Sequence, residues 1–269
     1  MTNSPLNPLL PAMGEGGGVR GKRIGPCELV IGDFAVGECR SQANREQGGG
    51  MRIAVVGGTG KEGYGLALSW ARAGQEVIIG SRSLERAAQA AESINTAVGH
   101  ATAKGMLNRD AAAAGEIVVL TVPYDAHEAT LKDIQGTVQG KVLVDVTVPV
   151  DPERPRHLRV APGGSATEEA QALLGAEARV VAAFQNISHE RLVHGEVSFS
   201  DVLVCGDDVG ARQEAIQLAG LLGFRGLDAG PARNARVIEG LTILLMGINR
   251  RYKAKGAGIR ITGIPEAPQ

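Results

Sequence analysis

The stretch that decides the fold is RIAVVGGTGKEGYGLALSWARAG, residues 52–74. It begins with a short apolar run, continues through closely spaced glycines and ends with apolar residues at helical spacing. The glycines form the pattern Gly58-x-Gly60-x-x-Gly63. A strand, a glycine-rich turn and a helix in this order are typical of a dinucleotide-binding domain. We therefore expect a pyrophosphate to bind where the helix begins.

Each glycine of this turn has a predicted role. Gly58 supplies the tight turn, Gly60 lets a pyrophosphate approach the backbone, and Gly63 lets the helix pack closely on the strand. A P-loop is not indicated, because no Gly-Lys-Ser/Thr follows at the required spacing. The alternative, a glycine-rich turn without a ligand, is less favoured by the strand–turn–helix order.

The end of the second predicted strand, IIGSRSLERA at residues 78–87, indicates which dinucleotide binds. An NAD site usually has an acidic residue here, which accepts a hydrogen bond from the ribose 2′-hydroxyl. This chain has Gly80 instead, followed by the donors Ser81, Arg82 and Arg86. Such donors suit a 2′-phosphate and predict NADP. The alternative is a pair of solvated arginines at a helix start.

Beyond this stretch, β-branched runs alternate with Ala-rich amphipathic segments as far as Gln185. This alternation predicts an α/β fold with a doubly wound parallel sheet of the Rossmann type. We place an NADP-binding domain at residues 51–187 and a smaller C-terminal domain at residues 188–264. Residues 1–50 lack any helical or strand period and are predicted to be a mostly disordered extension, in which CELVIGDFAV is a possible stray strand.

Composition excludes several classes of function. The formal net charge of −1 gives no basic field for nucleic acid or anionic membrane. Cys27, Cys39 and Cys205 include no close-spaced pair, so neither a disulfide framework nor a metal site is predicted, and a reducing, cytoplasmic location is expected. No apolar run approaches the roughly 20 residues that a membrane span requires.

No pattern of a catalytic nucleophile or of paired carboxylates is evident in the chain. The scattered histidines are expected to be surface or capping groups, although His189 is a candidate for acid–base chemistry because it adjoins the loop at Gln185.

Several segments together resemble one family. GGTGKEGYGLAL, GSR, VLTVPYDAH, VCGDD and LDAGPARNARVIEGLT are similar to segments of the NADPH-dependent reductases of coenzyme F420, an 8-hydroxy-5-deazaflavin that carries hydride. The resemblance extends from Met51 to about Ile264, and the tail GINRRYKAKGAGIRITGI resembles the bacterial branch.

The resemblance implies reversible hydride transfer between the nicotinamide C4 of NADP(H) and the deazaflavin C5, without a catalytic residue from the protein. The two rings would stack in a cleft between the domains. Together with the apolar segment VIEGLTILLMGI, the resemblance also implies a homodimer.

The resemblance further assigns residues to each part of the two cofactors. The pyrophosphate would contact Thr59, Gly60, Lys61 and Glu62, and the 2′-phosphate Ser81, Arg82 and Arg86. The nicotinamide would lie near Val122, Pro123, Thr147 and Val148. The deazaflavin would contact Gln185, Ile187 and Thr242.

Two positions depart from the family pattern. Some members have His in place of Gln185 and Ser in place of Gly240. We expect Gln185 to donate a hydrogen bond in place of the histidine.

Two segments have two interpretations each. Ser165 and Glu168 form a capping box that begins a helix, and the N–H groups of that helix could also bind an anionic part of the F420 tail. The basic segment NRRYKAKGAGIRI is either a solvated helix end or an attractive patch for the same tail.

Two other functions stay open at this point. The chain could reduce another acceptor with NADPH, such as a flavin, a ferric chelate or a small carbonyl compound. It could also be a non-catalytic regulator that senses NADP, since a fold alone does not fix a function.

Overall fold

The computed structural model describes residues 50–155, 157, 159–195 and 200–264. The predicted N-terminal extension, including CELVIGDFAV, lies outside the described residues except for its last residue, Gly50.

Strands and helices alternate along most of this range. The strands are β1 (Arg52–Val56), β2 (Glu76–Ser81), β3 (Ala103–Leu107), β4 (Ile117–Leu120), β5 (Val142–Asp145), β6 (Arg179–Ala182), β7 (Asp201–Gly206) and β8 (Arg225–Asp228). The α-helices are α1 (Lys61–Arg72), α2 (Leu84–Val98), α3 (Asn108–Ala114), α4 (Tyr124–Ile134), α5 (Ala166–Leu174), α6 (His189–His194), α7 (Val209–Leu221) and α8 (Ala235–Tyr252). Short 3-10 helices span Gln135–Thr137 and Ala232–Asn234.

The strands form one eight-stranded sheet in the order β3-β2-β1-β4-β5-β6-β7-β8. Neighbouring strands are parallel, except that β7 runs antiparallel to β6. The strand order reverses between the neighbouring strands β1 and β4, with β2 and β3 on one side and β5 to β8 on the other. In open α/β sheets, ligands bind outside the carboxyl ends of the strands at this switch point. The predicted doubly wound Rossmann fold is confirmed.

Both faces of the sheet are covered by helices, which explains why the strands are apolar throughout. Along β1, Ile53 and Val55 belong to one core cluster, whereas Ala54 and Val56 belong to a second cluster. Alternate residues of a strand point to opposite faces, so the two clusters are the two layers between sheet and helices.

The C-terminal segment extends this sheet. Residues 188–264, predicted as a smaller C-terminal domain, contribute β7 and β8 to the sheet and end with the long helix α8. No helix among the described residues is long and apolar enough to cross a bilayer.

Candidate functional site

The glycine-rich turn connects β1 to α1, but its left-handed residue is not the predicted one. Gly57 has a φ of 79°, whereas Gly58 is not among the residues with positive φ. Gly58 is instead constrained by packing, because a Cβ atom there would lie 2.8 Å from the carbonyl oxygen of Val55. Gly57 therefore makes the turn that we assigned to Gly58, since this conformation strains residues with a side chain.

The other two glycines match their predicted packing roles. A Cβ atom at Gly63 would lie 2.9 Å from the Cα of Gly58 and would also clash with the Thr121 hydroxyl, so a side chain would push α1 away from the turn. A Cβ atom at Gly60 would meet only the Gly57 carbonyl oxygen, at 3.5 Å. The backbone at Gly60 thus faces open space, as close approach of a pyrophosphate requires.

Gly60 is also the N-cap of α1, and it has no side chain to cap the helix. The first N–H groups of a helix lack partners within the helix and carry the positive end of its dipole. The start of α1, at Lys61 and Glu62, therefore fits an anionic group.

Glu62 lies in the first turn of α1, and its Oε1 atom is buried without a hydrogen-bond partner among the described residues. Burial raises the pKa of this carboxyl group to about 8. Its side chain is consequently uncharged at neutral pH and does not repel an anion at the helix start.

The carboxyl end of β2 carries the predicted 2′-phosphate donors. The Ser81 hydroxyl oxygen accepts a hydrogen bond from the Ser83 backbone N–H at 3.2 Å. Ser83 then caps α2 by accepting from the Arg86 N–H at 3.3 Å. Arg82 and Arg86 are exposed, and neither guanidinium forms an ion pair with the residues that the structure describes.

A pocket of about 360 Å³ opens beside these donors. Its lining comprises Ser81, Arg82, Leu107, Asn108, Arg109, Asp110 and Asp133. The volume lies in the range of small-molecule sites. Arg86 is not part of this lining, whereas Arg109, which the sequence reading missed, is. Asn108 connects the pocket to the glycine turn, because its Oδ1 accepts from the Gly57 N–H at 3.4 Å.

A hydrogen-bonded group lies at the carboxyl ends of β4, β5 and β6. The Thr147 hydroxyl donates to the carbonyl oxygen of Val122 at 3.4 Å, and the Gln185 side-chain amide donates to the carbonyl oxygen of Asp145 at 2.7 Å. The Thr242 hydroxyl of α8 donates to the carbonyl oxygen of Gln185 at 2.7 Å. The structure thereby brings together residues predicted for the nicotinamide and residues predicted for the deazaflavin.

Gln185 presents a different group from the one we expected. Its Nε2 is engaged by the Asp145 carbonyl, while its Oε1 is buried without a partner among the described residues. An unpaired buried acceptor is costly unless a ligand supplies a donor. Gln185 therefore offers an oxygen acceptor, which fits an N–H group of a bound ring, rather than the predicted donor.

The backbone just before Gln185 is strained. Phe184 has a φ of 73°, which is rare for a residue with a bulky side chain. Its ring is fully buried and packs edge-on against Trp70, with the ring centroids 5.6 Å apart. Packing of Phe184 therefore holds the turn that directs Gln185 back toward Asp145.

The remaining predicted residues of this end lie in different surroundings. Pro123 is exposed at the N-cap of α4. The side chain of Ile187 belongs to the core cluster that contains Phe184 and Leu192. Val148 lines a small cavity of about 30 Å³, and Gly240 of α8 lies on the wall of the same cavity.

The start of α5 is not available for an anionic ligand. The Ala166 and Thr167 N–H groups donate to the two carboxyl oxygens of Glu239 at 3.1 and 3.3 Å, and the Glu168 N–H donates to the Ser165 hydroxyl at 3.1 Å. The capping box at Ser165 is confirmed, and the alternative that these N–H groups bind the F420 tail is wrong. Burial raises the pKa of Glu239 to about 8, against the lowering effect of these hydrogen bonds.

Sequence reading also missed the pair of His127 and Asp145. The His127 Nε2 lies 2.7 Å from the Asp145 Oδ2, and both side chains are almost fully buried. The expectation that His127 is a surface or capping group is wrong. Only the position of His127 on the apolar face of α4, together with a charged residue at the end of an apolar strand, could have indicated the pair.

Known proteins resemble this chain along most of its length. A family model described as "NADP oxidoreductase coenzyme F420-dependent" matches residues 52–149. The F420-dependent NADP reductase of Methanothermobacter thermautotrophicus is 43% identical over 224 residues, which cover 80% of this chain and 97% of that protein. The protein of the same name from Methanocaldococcus jannaschii is 40% identical, over 80% of this chain and 99% of that protein.

The chain belongs to the F420-dependent NADP reductase family.

A solved structure of a hypothetical protein from Sinorhizobium meliloti matches with a TM-score of 0.55. The match covers 72% of this chain and 91% of that chain, at 23% sequence identity. At this identity the likeness concerns the fold alone, and it agrees with the Rossmann architecture. Family membership, in contrast, rests on relatives that match over nearly their full length.

Proposed function

We propose that this protein is an oxidoreductase that transfers a hydride reversibly between NADP(H) and coenzyme F420. The observation that carries the proposal is the identity of 43% over 97% of a relative named F420-dependent NADP reductase. The open glycine turn and the pocket containing two arginines independently support a dinucleotide with a 2′-phosphate.

The 2′-phosphate and its adenosine occupy the pocket between β2 and α3 in this proposal. Ser81 and Arg82 form one side, and Arg109 adds a second guanidinium that sequence reading did not assign. A phosphate dianion is well matched by two guanidinium groups, each of which donates charge-assisted hydrogen bonds. Arg86 lies further along α2 and attracts the 2′-phosphate electrostatically from a longer distance.

The pyrophosphate lies over residues 58–63. The backbone N–H groups of Thr59, Lys61, Glu62 and Gly63 provide donors, whereas the Gly60 N–H donates to the Gly57 carbonyl oxygen at 3.1 Å. The exposed Lys61 adds a positive charge at the same helix end. The uncharged Glu62 carboxyl group can donate a hydrogen bond to a phosphate oxygen, which an ionised carboxylate cannot do.

When bound, NADPH supplies a hydride from C4, and F420 accepts it at C5 while a proton from solvent completes the reduced deazaflavin. Such chemistry depends on holding two carbons close and aligned, so no side chain needs to act as an acid, base or nucleophile. The protein's contribution is to position the rings and exclude water between them.

The residues at the carboxyl ends of β4, β5 and β6 perform this positioning. Val122, Pro123, Thr147 and Val148 border the nicotinamide end. Gln185 accepts a hydrogen bond from the deazaflavin through its unpaired Oε1, and Thr242 fixes the Gln185 backbone. Ile187 supports this loop from the core side.

The proposed assembly is a homodimer formed through α8. Val237 and Leu244 are exposed, and Leu241 and Ile248 are partly exposed at the same helical spacing. Residues separated by three or four positions lie on one face of a helix, so these four side chains form an apolar stripe. Light scattering of wild type and Leu244→Glu tests this: a dimer that the substitution dissociates supports the proposal, and a wild-type monomer contradicts it.

The hydride-transfer function is tested with alternative acceptors. The protein and NADPH are mixed separately with oxidised F420, FMN and a ferric chelate, and the reduction of each acceptor is followed by absorbance. Bleaching of F420 with kcat/KM at least about a hundredfold above the other acceptors is expected. Preferential reduction of FMN or the chelate would indicate another acceptor, and NADPH binding without any turnover would indicate a regulator.

A further inference from the structure

The His127–Asp145 pair lies in a place that the core would otherwise fill with apolar side chains. Asp145 is the last residue of β5 and is fully buried. Leu143, two residues earlier on the same face, packs in the core cluster with Leu131 and Ile134 of α4. A charged carboxylate in such a position is strongly unfavourable without a partner.

His127 is placed on α4 to meet this carboxylate. His127, Leu131 and Ile134 follow one another at spacings of four and three residues, so they share the face of α4 that packs on the sheet. Burial lowers the pKa of His127, but the Asp145 carboxylate outweighs burial, and the net shift is upward. The carboxyl groups of Glu169 on α5 and Glu239 on α8 also raise the pKa of His127.

Asp145 is also the centre of the hydrogen bonds at the candidate site. Its Oδ1 accepts from the Thr147 N–H at 3.0 Å, and its backbone carbonyl accepts from the Gln185 amide at 2.7 Å. Thr147 continues to the Val122 carbonyl, and Gln185 is bound by Thr242. One residue thus connects the loops after β4, β5 and β6 with helix α8.

We infer that His127 and Asp145 are a positioning pair, which holds Thr147 and Gln185 at fixed positions relative to each other. The pair thereby sets the alignment of the nicotinamide with the deazaflavin. This inference rests on the proposed function. His127 does not reach the reacting atoms in this account. It acts through Asp145, whose carboxylate binds the Thr147 N–H and whose carbonyl oxygen binds the Gln185 amide. Hydride transfer is sensitive to such alignment, whereas NADPH affinity in this proposal rests mainly on the contacts of the glycine turn and the arginine pocket.

Three substitutions separate positioning from a purely structural role. Asp145→Asn keeps the volume but removes the charge that orients the imidazole. The amide has one oxygen in place of two, so it cannot replace both the oxygen that binds the Thr147 N–H and the oxygen that binds His127. His127→Gln keeps a donor for the Asp145 carboxylate, whereas His127→Leu leaves the carboxylate buried and unpaired. His100→Gln is the matched control, because His100 is exposed and lies in the segment after α2.

The test is a single-turnover measurement at saturating NADPH, in which stopped-flow absorbance follows the bleaching of F420. NADPH affinity is measured by nicotinamide fluorescence and stability by Tm. We expect Asp145→Asn and His127→Leu to slow hydride transfer by about tenfold or more, with the Kd for NADPH within about threefold of wild type. His127→Gln, which keeps the donor, is expected to transfer hydride at a rate within about threefold of wild type. His100→Gln is expected to leave the rate unchanged.

Gln185→Met provides a second route if Asp145→Asn or His127→Leu does not fold. It removes both the donor to the Asp145 carbonyl and the Oε1 acceptor proposed for the deazaflavin, at similar volume, and is expected to slow hydride transfer. A wild-type rate in Asp145→Asn or Gln185→Met would overturn the inference, and so would a rate that falls only in proportion to NADPH affinity. Failure of wild type and His100→Gln alike to bleach F420 would instead contradict the proposed function, and the inference with it.

Discussion

The Thr242 hydroxyl donates a hydrogen bond to the carbonyl oxygen of Gln185 at 2.7 Å, and this bond joins α8 to the loop after β6. Gln185 in turn donates to the Asp145 carbonyl at the end of β5. Gln185, which carries the unpaired Oε1 acceptor, is therefore held by α8 through its backbone carbonyl and by Asp145 through its side-chain amide.

This relationship predicts that Thr242→Val slows hydride transfer without weakening NADPH binding. Valine has nearly the same shape but lacks the hydroxyl, so the Gln185 loop loses one restraint. A hydrogen bond of this kind contributes about 0.5 to 1.5 kcal/mol, which corresponds to roughly a 2- to 13-fold lower single-turnover rate. Thr242→Ser keeps the hydroxyl and serves as the control. Equal rates in Thr242→Val and wild type would reject the assignment.

The arginine pocket predicts the cofactor preference. Charge-assisted hydrogen bonds contribute roughly 1.5 to 3 kcal/mol, so Arg82→Ala and Arg109→Ala should each lower kcat/KM for NADPH by about ten- to a hundredfold. NADH lacks the 2′-phosphate, so its kcat/KM should change little. Arg86→Ala should have a smaller effect, because Arg86 does not line the pocket.

Comparison of the two cofactors separates this contact from general damage, which would depress both. If the preference for NADPH over NADH is unchanged in the Arg82/Arg109 double variant, the 2′-phosphate does not bind in this pocket.

Glu62 predicts a pH dependence of NADPH affinity. Its carboxyl group, with a pKa raised to about 8 by burial, is neutral below that pH and ionises above it. Ionisation places a negative charge at the start of α1, so affinity should fall as the pH rises from 7 to 9. A repulsion of roughly 1 kcal/mol would raise Kd about fivefold.

The matched substitutions for this prediction are Glu62→Gln and Glu92→Gln. The first should remove the alkaline loss of affinity, whereas the second, on the exposed face of α2, should leave it as in wild type. Calorimetric titrations at several pH values provide the measurement. An alkaline loss of the same size in all three proteins would mean that another group titrates.

The N-terminal segment is predicted to be dispensable. The described residues from Gly50 onward build the eight-stranded sheet and the core clusters on its two faces. A chain that begins at Met51 should therefore express well and oxidise NADPH with kcat/KM within about twofold of the full chain. Insoluble expression or loss of activity in the shortened chain would contradict this.

The fold and the cofactor class could be predicted because their signals are local. An apolar run, a glycine turn and a helix are adjacent in residues 52–74, and the absence of an acid at Gly80 lies in the same unit. Strands β3 and β8 were not predicted. Both are short and contain a glycine, Gly105 and Gly226, where the strand packs closely on a helix, so neither has the apolar run of a buried strand.

The parts of the candidate site that sequence reading missed depend on contacts between distant residues. Arg109 enters the pocket only because β3 lies beside β2 and ends near Ser81. Glu239 reaches the start of α5, 73 residues away in the chain, and so occupies N–H groups that the capping box alone leaves open. The acceptor role of Gln185 likewise follows from the Asp145 carbonyl, which the sequence does not place beside it.

Isotope transfer in a single turnover tests the central claim most directly. The protein is mixed with oxidised F420 and NADPH that carries deuterium at both C4 positions, and the reduced F420 is analysed by mass spectrometry. Direct hydride transfer predicts one deuterium on each reduced deazaflavin, together with slower bleaching than with unlabelled NADPH. Reduced F420 without deuterium, or no reduction of F420 while NADPH is bound, would contradict the account.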